Sequence, residues 1–101
     1  MPTVIYGMLK EEKQRNLEMQ EAYRREIETL RKGSIKPVEK SGKIYYYLCY
    51  RQGDKVKNDY IGRDESVAQE IERELEKRKH LQGVLKRLKT EYRQISIIVR
   101  D

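Results

Sequence analysis

The sequence predicts an α+β domain: an N-terminal helix, a three-stranded antiparallel sheet and a long C-terminal helix. Three observations carry that expectation. The residues on either side of the middle are strong helix formers free of proline from Gly7 to Lys32 and from Glu65 to Tyr92. Between them, Ser34 to Ile61 holds three short runs dense in tyrosine and β-branched residues. Those runs are divided by the turn-forming pair Ser41-Gly42 and the turn stretch Gln52-Gly53-Asp54.

The first helix is placed at 7–32. Leu9, Asn16, Tyr23 and Leu30 recur every seven residues, with Ile27 at the intervening position. Lys13 and Gln20 stand where such a seam wants apolar groups, so the first half is expected to be loosely held. Gly33 follows Arg31 and Lys32 where a C-cap glycine belongs. The sheet occupies 34–61, with Pro37 confining the first strand to an edge. Asp64 is placed as N-cap of the second helix, 65–94. Within 64–76 six acids face one base, and within 77–93 seven bases face one acid, which complements the helix dipole. Gly83 leaves a break near Lys79–Gly83 open, and the residues before Gly7 and the tail Ile95–Val99 are undecided between helix and strand.

Length and composition bound the function. A chain of 101 residues is one small domain, 1–101. Its longest apolar run, Ile44 to Tyr50, is too short to span a membrane, and no signal peptide is evident. The lone Cys49 forms no internal disulfide, so a cytoplasmic, reducing location is expected. One histidine, His80, and one cysteine supply neither a Cys/His metal set nor a nucleophile pair, and no glycine-rich phosphate loop precedes a helix. The acid-rich run Asp64–Glu76 lacks a matching base and reads as a solvated face. No catalytic residue, metal or cofactor is expected.

Charge is the functional signal. Residues 31–63 carry nine Lys/Arg against Glu39, Asp54 and Asp59, a net of +6, while 1–30 sum to −1 and 64–101 to +1. The flanks nearly cancel, so the positive field of the whole chain comes from the tyrosine-rich middle.

Strand alternation assigns that charge to a face. A Ser41-Gly42 turn pairs Lys40 with Lys43, Val38 with Tyr45, Lys36 with Tyr47 and Ile35 with Leu48. A three-residue Gln52–Asp54 loop then pairs Arg51 with Lys55 and Tyr50 with Val56. Ile35, Pro37, Ile44, Tyr46, Leu48, Tyr50, Val56 and Tyr60 form a core face; Lys36, Val38, Lys40, Lys43, Tyr45, Tyr47, Cys49, Arg51, Lys55 and Lys57 form a basic one, with Arg63 just beyond. A two-residue Gly53-Asp54 turn would move Lys55 and Lys57 to the apolar face, where burial costs several kcal/mol each. That penalty favours the longer loop. Lys55 and Lys57 placed across the sheet plane from Lys36 and Lys43 would leave this expected surface without coherence for docking and end the reading that rests on it.

Residues 34–78 resemble the arm-type DNA-binding domain of phage and transposon tyrosine recombinases. The run Lys43 to Gly62 (KIYYYLCYRQGDKVKNDYIG) within them is also similar to one shared by small proteins of bacterial mobile elements. The resemblance implies a sheet face set against DNA, with Lys36, Lys43, Tyr45, Tyr47, Arg51, Lys55 and Lys57 as contacts. It covers about half the chain, which has no recombinase catalytic domain and carries a longer helix on each side. The expectation is a non-catalytic phage or mobile-element protein, in a bacterial host's cytoplasm, that engages DNA or RNA. The alternative is an anti-CRISPR-type inhibitor that binds a host RNA-guided nuclease, or its guide RNA. A homodimer built on the stripes Tyr23, Ile27, Leu30 and Leu81, Leu85, Leu88 is a third arrangement the sequence allows.

Overall fold

The computed structural model describes residues 3–100. Helix α1 (Thr3–Thr29) is followed by strands β1 (Ser34–Lys40), β2 (Lys43–Gln52) and β3 (Lys55–Gly62), then helix α2 (Glu65–Ile98). The three strands form one antiparallel sheet in the order β1-β2-β3, which puts the proline-bearing β1 at an edge as expected. The α+β architecture is the one the sequence predicts. No described helix is long and apolar enough to cross a membrane.

The chain resolves into two compact units, residues 30–79 and residues 1–29 with 80–101. In the first, Leu48 of β2 packs with Ile71 and Leu75 of α2, joined by half-buried Ile35, Tyr50 and Ile61. The Leu30 carbonyl accepts a hydrogen bond from Arg78 Nη1 at 2.8 Å. One turn away along α2, Glu74 accepts from the Arg31 backbone N–H at 2.8 Å and from its guanidinium at 3.3 Å. Asp64 caps α2 as expected. Its Oδ1 accepts from the Ser66 hydroxyl at 2.7 Å and the Ser66 N–H at 2.9 Å. These bonds, the hydroxyl's first, hold the Asp64 carboxyl below its usual value of 3.8.

In the second unit the seam is polar where the heptad reading placed a weakness. Lys13, Asn16 and Gln20 are buried, Asn16 at 2% exposure. Lys13 Nζ donates to the Val99 carbonyl at 2.9 Å and lies 5.4 Å from the Tyr92 ring centre. Asn16 Nδ2 donates to the Leu88 carbonyl at 2.9 Å while its Oδ1 accepts from Gln20 Nε2 at 2.7 Å. From Lys13 onward α1 is therefore held by directed bonds, which the expectation of a loosely held first half did not foresee. Ile27, Leu81 and Leu88 are buried within the single chain.

Three boundaries differ from expectation. Helix α1 begins at Thr3, its Val4-Ile5-Tyr6 stretch being helical, because Gly7 costs too little to stop a helix that Met8 and Leu9 continue. It ends at Thr29, so Gly33 is not its cap. Gly33 adopts φ +119° beside β2, where a Cβ would run into the Cys49 carbonyl oxygen and stand 2.9 Å from Tyr50 Cβ. Helix α2 runs unbroken through Gly83 and takes in Ile95–Ile98. A glycine penalty of about 1 kcal/mol does not outweigh burial of Leu81 and Leu88 on either side of it.

Candidate nucleic-acid interface

The first hairpin has the expected register, with Lys40 opposite Lys43, Val38 opposite Tyr45 and Lys36 opposite Tyr47. Ser41 (φ +52°) and Gly42 (φ +77°) are both left-handed, the pattern of a type I′ turn.

The second hairpin does not have the expected register. Gln52 pairs with Lys55, Arg51 with Val56, Tyr50 with Lys57, Leu48 with Asp59 and Tyr47 with Tyr60. The loop is the two-residue Gly53-Asp54 turn, with positive φ at Gly53 alone, the pattern of type II′. Lys55 and Lys57 therefore share the face of Leu48 and Tyr50, opposite Lys36 and Lys43, and the surface predicted from sequence is not the one that forms. The desolvation penalty that argued against this register is not incurred. Lys55, Lys57 and Asp59 are all exposed, because the buried cluster on that face ends at Leu48, with Tyr50 and Ile61 half-buried beside it. There the neighbouring Asp59 carboxylate is the main reason the Tyr50 pKa stands above 10.0.

The change of register also brings residues to the outer face. Val56, Asn58 and Tyr60 join Lys36, Val38, Lys40, Lys43, Tyr45, Tyr47, Cys49 and Arg51. A β-bulge between Tyr46 and Tyr47 lets Tyr46 pair with Gly62 and leaves Ile61 to the core. Tyr60 lies 5.4 Å from Tyr47 and 6.3 Å from Tyr45, ring centre to ring centre, at tilts of 52° and 44°. Arg63 places its guanidinium 5.7 Å from the Tyr45 ring centre. Tyr60 is 57% exposed while Tyr45 and Tyr47 are half-buried.

Among the described residues the outer face thus carries Lys36, Lys40, Lys43 and Arg51, with Arg63 lying over Tyr45, and no carboxylate. Glu39 and Asp59 fall on the other face and Asp54 in the turn. Five of the seven basic residues expected from Lys36 to Arg63 lie here, and two do not. Tyr60 was the residue sequence reasoning missed; the Gly-Asp dipeptide was the signal that would have found it. Cys49, a half-buried free thiol, sits between Ser34 and Asn58 across the strands. His80 is exposed on α2. Among the described residues no three His, Cys, Asp or Glu side chains gather as a metal-binding group.

The fold and this face define a small α+β protein with a cationic, tyrosine-bearing sheet surface. The chain belongs to the family described as a domain of unknown function (DUF6788), whose model matches residues 9–73. That span includes every residue of the outer face. No curated protein and no solved structure matches the chain.

Proposed function

We propose that this protein binds nucleic acid, without transforming it, through the outer face of its sheet. Lys36, Lys40, Lys43, Arg51 and Arg63 hold phosphates, while Tyr45, Tyr47 and Tyr60 meet bases or sugars. The observation that carries the reading is a face whose charges, among the described residues, are all positive around three contacting tyrosines. Lys40 and Lys43 add to it. Two ammonium groups directly opposite on neighbouring strands repel, and a phosphate between them relieves that repulsion. The resemblance to arm-type recombinase domains points the same way, apart from Lys55 and Lys57, whose contacts it implied and which lie on the far face.

Five phosphate contacts give a log–log salt slope of about −4.5 on duplex and about −3.5 on a single strand. Affinity for a single strand then falls about 100-fold between roughly 50 and 200 mM salt. Lys36→Ala with Arg51→Ala flattens the slope by about 1.5, and Lys55→Ala with Lys57→Ala changes it far less. Titration of labelled strands at several salt concentrations measures both. A larger effect from the Lys55/Lys57 pair, or binding indifferent to salt, refutes the reading.

A further inference from the structure

Within the outer face, Lys36, Val38, Lys40, Tyr47 and Asn58 line a shallow depression of about 230 Å³. We infer that this depression takes a single unpaired nucleobase, an inference that rests on the nucleic-acid reading and narrows it.

The lining has the parts such a site requires. Val38 and the Tyr47 ring, both half-buried, give an apolar floor against which a ring face can lie. Tyr47 is kept in place by its contact with Tyr60, so stacking on it costs little ordering. Asn58 is exposed on the neighbouring strand and offers an amide that both donates and accepts, which matches a base edge. Lys36 and Lys40 are four residues apart on β1, about 13 Å at strand rise, and so stand to either side of the depression. They reach the phosphates flanking a base seated between them.

The volume is below the roughly 300–1,000 Å³ of pockets that enclose whole ligands. It suits one flat ring lying on the sheet. A duplex presents base edges and methyl groups in its grooves and keeps base faces stacked, so it cannot lay a ring face on this floor. A single strand exposes those faces.

The test uses three fluorescein-labelled probes at one salt concentration: a single strand of about ten nucleotides, an abasic strand with the same number of phosphates, and a duplex of the same sequence. The base-bearing strand binds about tenfold or more tightly than the abasic one. Asn58→Ala narrows that gap several-fold without weakening the abasic strand, while Lys36→Ala weakens both strands alike. Equal affinity for the two strands, or tighter binding of the duplex, overturns the base site and leaves the phosphate-binding face standing. Failure to bind any of the three removes both.

Discussion

Replacing Gly33 by alanine tests whether the backbone just before β1 lies as close to β2 as it stands. Two costs add. An L-residue at φ +119° is strained by about 1–3 kcal/mol. The new methyl also meets the Cys49 carbonyl oxygen and Tyr50 Cβ, backbone and near-backbone atoms that no rotamer change can move aside. Such overpacking costs about 1–3 kcal/mol more. A loss of about 3 kcal/mol is a large share of the stability of a chain this size. With a urea m-value of about 1.5 kcal/mol/M, the unfolding midpoint falls by about 2 M. Gly83→Ala is the counterpart. Nothing lies within 4 Å of a Cβ built there, and the residue is interior to α2, so the midpoint rises by about 0.5 M. Circular dichroism during urea titration reads both. A Gly33→Ala midpoint within about 0.3 M of the parent, or a fall for Gly83→Ala, refutes the argument.

Further outcomes follow from the seam and the helix cap. Asn16→Ala leaves the buried Gln20 amide without its acceptor and lowers stability by about 2 kcal/mol in the same titration. Because the Asp64 pKa is depressed in the fold, its contribution is present above the ordinary value of 3.8 and is lost as pH falls through the lower folded value. Asp64→Asn flattens that acid limb of melting temperature against pH, and a limb unchanged by the substitution refutes the assignment. Tyr50 has a raised pKa, so its contribution holds below 10.0 and is lost as pH rises beyond it. In a spectrophotometric titration Tyr50→Phe removes a tyrosine ionisation that falls above pH 10.0.

What the sequence made legible was local. Element order, the Ser41-Gly42 turn with its register, and the Asp64 cap all follow from a few neighbouring residues. The second hairpin was legible by the same rule, since Gly-Asp is a two-residue turn signal. The expected register set that signal aside for a burial penalty, which assumed that the face of Leu48 and Tyr50 is covered throughout. How far a helix covers a sheet is a tertiary fact. Here the buried cluster ends before Lys57, and the penalty is not incurred. Lys13 and Gln20 failed for a related reason. Their partners, the Val99 carbonyl and Asn16, include an atom 86 residues away, and a periodicity argument sees side chains without the carbonyls that satisfy them. Gly83 turned on burial of Leu81 and Leu88 set against about 1 kcal/mol of propensity, a balance that sequence alone does not strike.

Lys13 and Asn16 each address one particular carbonyl, those of Val99 and Leu88, and so give the helical hairpin a key as well as a seam. A greasy interface slides by a turn at modest loss; this one does not. One residue inserted between positions 13 and 16 swings one of the two side chains by about 100° and leaves its polar end stranded. Family members of different length are therefore expected to carry their extra residues in the strand turns, with the spacing of these two positions kept.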